Sequence, residues 1–341
     1  MPQTKYLLPK TEKYYKANLH THTNVTDGAL SPEEIAELYK AKGYSILSIT
    51  DHNVIMDMSR LNEKDFLMLT GAEYNIDEPN WADKRMWTKS YHLNFIAKRP
   101  DNLWQPYLPK KPKENALPYL AKVESSEMPH EHRLEDINAI IAEANKRGFL
   151  VAYNHPTWSL HDYTDYAGLE GLWATEIING DSGRGGYGDR DNSRVFADLL
   201  NLGNNVFPVA ADDSHSTSHV GNAWVMIGAE RLEYGPVISA LEKGDFYASN
   251  GPEIYELSLT DKILHVQCSD AQSIVVNGGT RFAKQAFPKS PDKLIRTADI
   301  DIGKWIDGCT EESSRNWIRV TVYGPYGQFA ATRAFRIEEL R

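Results

Sequence analysis

Cysteine is nearly absent from this chain, with Cys268 and Cys309 the only two in 341 residues. Two thiols can neither complete a four-thiolate zinc site nor form a disulfide framework, so free thiols in a reducing compartment are expected, with a single Cys268–Cys309 bridge as the alternative. Long apolar runs are missing too. None approaches the roughly 18–20 residues that cross a bilayer, and Met1–Lys10 is a polar start without an apolar leader core. The expectation is a soluble, cytoplasmic protein with no membrane partner, or a periplasmic or secreted one if a leader has been removed. Positive charge is in short supply: 37 Lys and Arg face 47 Asp and Glu, a formal charge of −10. Such a surface repels polyanions, which excludes duplex nucleic acid as the expected partner. A small anion remains compatible, because bound divalent cations would dominate the field inside a cleft. Internal repeats and low-complexity tracts are absent.

What is present suffices for a substantial core. Hydrophobic residues make up 41% and charged residues 25% of the chain, and this length is more than one core accommodates, so two domains are expected. From Tyr15 to about Ile227, short apolar runs alternate with helical patterns, the rhythm of a β/α architecture. Ser31-Pro32-Glu33-Glu34 reads as an N-cap, a proline at the first helical position and a capping-box glutamate, with Gly43 as the stop. The strand Ser45–Thr50 follows and ends at Asp51-His52. The same grammar gives a helix over Leu134–Arg147 and a strand over Leu150–Asn154 that ends at His155, then a helix over Arg194–Leu202 and a strand over Val206–Ala211 that runs into Asp212-Asp213-Ser214-His215. Three strands thus deliver histidines at their C-terminal ends, where β/α folds build active sites. Arg99–Pro129, rich in Pro and Lys, reads as a surface excursion, either lid or insertion. Near Gly251-Pro252 the pattern turns to alternation without convincing helices, predicting residues 1–252 as one domain and 253–341 as an all-β, sandwich-like second.

His20-Thr21-His22 follows the apolar strand Tyr14–Leu19, and in extended chain residues i and i+2 project to the same side. Both imidazoles can reach one cation. Asp27, His52, Glu73, His92, His155, Asp213 and His215 join them as candidates. Of eleven histidines, positions 20, 22, 52, 92, 155 and 215 lie at or beside predicted strands, whereas solvated histidines would scatter. Imidazole with carboxylate suits Zn, Mn or Fe, and a bridging carboxylate allows two or three ions.

In order along the chain, His20-Thr21-His22, Asp27-Gly28, Thr50-Asp51-His52, Gly71-Ala72-Glu73, His92, Asn154-His155-Pro156 and Asp213-Ser214-His215 resemble the motif series of the polymerase and histidinol phosphatase (PHP) superfamily, over about Tyr15 to Ala229. The stretch Ala240-Leu241 to Gly251-Pro252 resembles the branch with carbaryl-hydrolase-like proteins and predicted phosphoesterases, in which a small β domain follows. The resemblance implies a distorted (β/α)7 barrel with metals at the C-terminal strand ends. It further implies that His20, His22, Glu73 and Asp213 hold one ion, Asp27, His52 and His215 a second, and Glu73, His92 and His155 a third. The implied activity is metal-dependent hydrolysis, with a metal-bound hydroxide attacking a small phosphorylated substrate. An ester, carbamate or amide hydrolase, or a non-catalytic protein whose β domain binds a glycan or partner, are the alternatives.

Other residues carry two readings each. Asp51 could orient His52 or relay a proton, or could simply bond backbone. Arg184 and Arg190, in the glycine-rich Asp181–Asp191 segment, could clamp a phosphate or lie on a flexible surface loop. Glu176 ends a strand where it could face the site, yet the family pattern gives it no role as ligand. Trp158, Tyr153 and Trp173 could line a pocket or pack, and Trp305 and Trp317 could form a sugar platform or be buried. For the Asp212-Asp213 doublet, Asp213 gives the Asp-x-His spacing. His130 and His132 are expected to be solvated, and His161, His219 and His265 to lack partners at useful spacing.

Overall fold

Ser31 and Glu34 close their capping box: Ser31 Oγ accepts from Glu34 N at 3.3 Å, and the Glu34 carboxylate accepts from Ser31 N at 2.8 Å, a start worth about 1 kcal/mol. The computed structural model in which these bonds are seen describes residues 4–11, 13–186, 188–290 and 292–341. The chain begins with β1 (Lys5–Tyr6), β2 (Tyr15–Asn18), α1 (Pro32–Ala41), β3 (Ile46–Ile49), β4 (Leu67–Asp77), α2 (Trp81–Lys84) and β5 (Ser90–Ala97). An excursion holds β6 (Trp104–Gln105), α3 (Leu117–Leu120) and β7 (Glu124–Ser125). Then come α4 (Leu134–Lys146), β8 (Phe149–Tyr153), α5 (Tyr163–Tyr166), β9 (Ala174–Asn179), α6 (Gly180–Arg184), α7 (Ser193–Asn201) and β10 (Phe207–Ala211). The last third comprises β11 (Trp224–Ile227), α8 (Tyr234–Lys243), β12 (Phe246–Ser249), β13 (Ile254–Thr260), β14 (Ile263–Ala271), β15 (Ser273–Gly278), β16 (Ala283–Ala286), β17 (Ile295–Asp301), α9 (Gly303–Gly308), β18 (Trp317–Tyr323), β19 (Phe329–Thr332), β20 (Phe335–Arg336) and α10 (Ile337–Leu340). The fold is mixed α/β, and no helix among the described residues is long and apolar enough to cross a membrane.

One long sheet runs β10-β9-β8-β5-β4-β3-β2-β11-β12-β19-β18-β15-β16. Strands β2, β3 and β4 are mutually parallel, as are β8, β9 and β10, while β5 lies antiparallel between the two triplets. The sheet has no ladder between its edge strand β10 and β2. Beyond both strands, however, a parallel bridge pairs Thr21 with Ser214, with His22 N donating to Ser214 O at 2.9 Å and Asp213 N to His20 O at 3.0 Å.

The inner faces of these strands explain why the site is where it is. Ala17, Ile46, Leu67, Ile96, Leu150, Ala152, Ala174 and Val209 come from seven strands and form one buried cluster with Phe246. Side chains alternate along a strand, so the next inward positions after Ala152 and Ala174 are Asn154 and Glu176, and that before Ile96 is Asn94. The interior is therefore apolar at one end and polar at the other. On the outer face, Ile137, Ile140, Ile141 and Ala144 of α4 pack with Phe95, Phe149 and Val151.

The excursion is anchored, contrary to the surface reading. Trp104 and Tyr107 are buried, and Gln105 Nε2 donates to Tyr107 O at 2.7 Å. Its aromatics find apolar neighbours on β4, β5 and β8, a tertiary contact that local composition does not encode.

In the last third, β1, β13, β14 and β17 form a second sheet facing the far end of the long one. Leu257, Leu264 and Val266 from one sheet meet Ile274, Val276, Ile318 and Val320 from the other. Two features depart from the sequence reading. Short helices α9 and α10 occur here, and the N-terminal Leu7 and Leu8 pack into this core because β1 pairs with β13. The β12–β19 ladder makes the long sheet continuous into this region. Trp305 and Trp317 are buried, and the Trp317 indole N–H donates to Asn201 Oδ1 at 3.1 Å, so neither forms a surface platform. Cys268 and Cys309 are both free and buried.

Candidate metal centre

Six of the nine candidate ligands follow the C-terminal end of a strand, two lie within strands and one on a turn. His20 and His22 follow β2, His52 follows β3, Glu73 and His92 sit within β4 and β5, His155 follows β8, and Asp213 and His215 follow β10. A parallel bridge sets His52 beside Glu73, with Asn53 N donating to Glu73 O at 2.7 Å. Asp27 lies on a turn closed against the His20–His22 segment: a β-carbon at Gly28 would stand 2.5 Å from His22 O, so only glycine lets the turn come this close.

The nine side chains converge. Oxygens of Glu73 lie 3.1 Å from His20 Nε2, 3.4 Å from His22 Nε2, 3.1 Å from His52 Nδ1, 3.1 Å from His92 Nδ1 and 3.3 Å from His155 Nε2. Asp213 Oδ1 lies 3.2 Å from His20 Nε2 and 3.1 Å from His22 Nε2. Asp27 Oδ2 lies 3.4 Å from His52 Nε2 and 3.5 Å from His215 Nε2. Tetrahedral bonds of about 2.0–2.1 Å place two ligand atoms about 3.4 Å apart, so these separations suit donors around shared cations. The sets His22/Asp27/His52/His215, His20/His22/Glu73, His20/His155/Asp213 and His52/Glu73/His92 each bring their ligand atoms within 4.8 Å of one another. The floor is buried at His20, Glu73, His155 and Asp213, while Asp27, His52 and His215 form a more open rim.

The donors fit a metal by their unmet bonding as well as their spacing. His22 Nδ1, His52 Nδ1, Glu73 Oε2, His92 Nδ1 and Asp213 Oδ1 are buried without a hydrogen-bond partner. An unpaired buried polar atom costs about 1–3 kcal/mol, a cost that cations among these atoms would relieve. Electrostatics agree. Burial opposes charge on Glu73 and Asp213, yet surrounding imidazoles hold both carboxyls well below the usual range. Burial likewise opposes charge on His20, His155 and His215, but neighbouring carboxylates outweigh it, raising His20 well above its ordinary value, His155 to about 9 and His215 to about 11. His22 is pushed down to about 4 by burial and by His215 and His52. Protons thus hold places among these donors that cations would take, and metal binding should release them. Asp213 also sits at φ 50°, a left-handed conformation that costs a non-glycine residue on the order of 1–2 kcal/mol.

Several residues steady the donors. Glu176 Oε1 accepts from His20 Nδ1 at 2.7 Å, while its Oε2 accepts from His155 N at 2.9 Å and from Asn179 Nδ2 at 3.0 Å. Asn154 Nδ2 donates to Glu73 Oε1 at 2.7 Å. Asp181 lies 3.2 Å from His215 Nδ1 and 3.0 Å from His219 Nδ1, giving His219 a partner that sequence spacing hid. The sequence reading gave none of Glu176, Asn154 and Asp181 a function. A signal for Glu176 existed, since it is the one carboxylate in the apolar run from Trp173 to Ile178.

Other expectations fare differently. Asp51 does not line the cleft: its carboxylate accepts from Thr23 N at 2.9 Å, Thr23 Oγ1 at 2.5 Å and Thr26 N at 3.2 Å, pinning the turn that carries Asp27. Burial raises it to about 6. Arg184 is turned outward, its guanidinium donating to Ser218 O, and Arg190 donates to Gly183 O at 2.7 Å. Neither reaches the donors. The segment around them is less a free loop than expected, because buried Asp189 accepts from Thr157 N and Trp158 N, each at 2.9 Å. Asp212 faces away from the donors, accepting from Gly221 N, Asn222 N and Ala223 N at 2.7–2.8 Å. Trp158 lines the cleft, whereas Tyr153 and Trp173 are buried, the Trp173 indole donating to Leu241 O at 2.9 Å.

His130 and His132 are not a solvated pair. His130 stacks on Tyr107 with ring centres 4.0 Å apart, and His132 lies 4.8 Å from Tyr91. His265 pairs with Asp299 at 2.7 Å. His161 Nδ1 and the Tyr153 hydroxyl share a hydrogen bond at 2.5 Å, and burial, with His132 and Lys89 nearby, pushes His161 down to about 2. A histidine depressed in the folded state is neutral there while the unfolded chain takes up a proton below about 6.5, so stability present above that pH is lost as pH falls. Metal-free protein should lose about 2 kcal/mol through His161 between pH 7.5 and pH 5. His161→Gln keeps an acceptor for Tyr153 and should flatten urea-derived stability over that range by this amount; parallel curves for the two proteins would refute the assignment.

Residues 18–108 match the profile of the PHP domain family. No curated protein matches the chain. Among solved structures, a two-domain protein from Bacteroides vulgatus containing a predicted PHP-like metal-dependent phosphoesterase aligns at 12% identity and TM-score 0.45, covering 97% of this chain and 98% of that one. An amidohydrolase from Chromobacterium violaceum, with bound sulfate and no metal, aligns at 15% identity and TM-score 0.37, over 59% of this chain and 87% of that one. A lesion-specific endonuclease from Pyrococcus furiosus aligns at 14% identity and TM-score 0.40, over 67% and 56%. At these scores the alignments carry no argument about activity.

Proposed function

We propose that the PHP domain carried by this chain makes it a metal-dependent phosphoesterase acting on a small phosphorylated substrate. The observation that carries this reading is a single buried carboxylate, Glu73, within 3.1–3.4 Å of five imidazoles from four other chain segments. His20, His22, Glu73 and Asp213 would hold one divalent ion, Asp27, His52 and His215 a second, and Glu73, His92 and His155 a third, with Zn, Mn or Fe suited to this donor set. Such ions, when bound, acidify water to a pKa of about 7 and neutralise charge on phosphoryl oxygens.

The chain's own residues supply the rest. Glu176 keeps a proton on His20 Nδ1 and so leaves Nε2 free to ligate; Asp181 stands at His215 Nδ1 to do the same there. The cleft is lined by Ser182 but by no cysteine, and no base stands within hydrogen-bond distance of Ser182 Oγ among the described residues, so the reading needs no covalent nucleophile. The seven strands β2–β5 and β8–β10 are read as a distorted (β/α)7 barrel, supported by their shared inner cluster and the Thr21–Ser214 bridge. Residues 1–252 are taken as the hydrolase unit and 253–341 as its all-β companion.

Metal removal tests the reading. Chelated protein should be inert, and Mn²⁺, Zn²⁺ or Fe²⁺ added in turn should restore hydrolysis of aryl phosphates by at least about 10³-fold. Restored cleavage of aryl carbamates alone would replace phosphoester with carbonyl chemistry, and no cleavage of either, with metal bound, would favour a binding protein.

A further inference from the structure

The cleft over the constellation has a volume of about 460 Å³, and five carboxylates line it, including Asp77 and Asp181 beyond the proposed ligands. Arg85 is the one arginine or lysine among its lining residues. Its guanidinium forms no ion pair or hydrogen bond among the described residues. It lies instead against two indoles, 5.7 Å from the ring centre of Trp81 and 5.5 Å from that of Trp158. The two indoles are themselves 6.0 Å apart.

The fold sets the backbone positions from which the trio projects. Trp158 is fixed through its backbone N–H on the buried Asp189, and its ring stands edge-on to two proposed ligands, 5.2 Å from His92 and 5.0 Å from His155. Trp81 and Arg85 ride the β4–β5 connection, closed at its base by Glu78 N donating to Lys89 O at 3.0 Å and Lys89 N to the Glu78 carboxylate at 2.7 Å.

A guanidinium attracted to aromatic faces still presents N–H donors along its edge, the geometry that takes a carboxylate or phosphate in two parallel bonds. Although carboxylates line the same cleft, Arg85 pairs with none of them and keeps its donors free for a ligand. We infer that Trp81, Arg85 and Trp158 form a second recognition site, one indole away from the metal centre, for an anionic group that the substrate carries apart from its scissile phosphate. The substrate class is then a phosphoester bearing a second anionic group, with a flat or apolar spacer lying along Trp158. This rests on the phosphoesterase reading only for the identity of the first anion.

The test uses two non-hydrolysable probes, benzylphosphonate and 4-carboxybenzylphosphonate, titrated into manganese-loaded full-length protein by calorimetry and by quenching of tryptophan fluorescence. The carboxylated probe should bind at least tenfold more tightly, which corresponds to about 1.4 kcal/mol. Arg85→Gln should bring the two probes within twofold of each other, and Arg85→Lys should restore part of the preference. Equal binding of the probes by the wild-type protein, failure of both to bind, or an undiminished preference in Arg85→Gln would each overturn the inference. A protein that discriminates between the probes but hydrolyses no aryl phosphate would sink the phosphoesterase reading and leave this site standing; the reverse outcome would do the opposite.

Discussion

Glu73→Ala should abolish turnover, with a loss on the order of 10³-fold or more, and should lower bound metal in the same preparation. The size of the effect follows from position. Glu73 is the carboxylate that five imidazoles face, and it is completely buried. Its removal strips a negative charge from the centre of the donor set, leaving buried imidazoles with less compensation for their protons. Glu73→Gln separates charge from shape: it fills the same volume and keeps a carbonyl oxygen for Asn154, yet one of its terminal atoms becomes a donor and cannot ligate. If metal binding is the issue, Gln should fail nearly as badly as Ala. Wild-type turnover with full metal content in either variant would remove the central claim.

Glu176→Ala should weaken metal binding by about 10–100-fold although Glu176 is not assigned as a ligand. Three donors converge on its carboxylate: the His20 ring, the His155 amide and the Asn179 side chain. Removing it frees the His20 ring to rotate and to place its proton on either nitrogen, and it orphans two buried N–H groups. Glu176→Gln should be intermediate, because its oxygen still accepts while its NH₂ group is brought against N–H donors. The measurement is metal affinity by competition with a chelating dye, on protein whose circular dichroism matches the wild type. An affinity within twofold of wild type in Glu176→Ala would show that His20 is positioned by other means.

Much of this site was legible because six of its nine candidate donors follow strand ends, and strand ends are announced by local sequence. The capping box at Ser31 and Glu34 sets where α1 begins, Gly43 sets where it stops, and β3 follows with His52 just past its last residue. Residues whose roles depend on distant neighbours were not legible. Nothing near His132 or His161 foretells that β5 and β8 set them against Tyr91 and Tyr153. Trp104 and Tyr107 sit in a Pro- and Lys-rich stretch whose composition says surface, yet they are core. Asp51 has the same residue type and local pattern as a ligand; only the fold turns its carboxylate toward the Thr23–Thr26 turn. In the C-terminal region, α9 and α10 span six and four residues, too short to show a helical period among alternating strands.

The pairing of Thr21 with Ser214 has a consequence for how the protein comes apart. Its two backbone bonds flank His20 and His22 on one side and Asp213 and His215 on the other, so the contact between the segments that follow β2 and β10 is made by the same stretches that bear the proposed ligands. Cations shared between them would rivet that contact, which is also held by these two backbone bonds and by Asp212 N donating to Asn18 Oδ1 at 2.8 Å. A slip of one residue there would turn every donor on one side outward, so the register of this bridge and the capacity to hold the proposed cations would be set together.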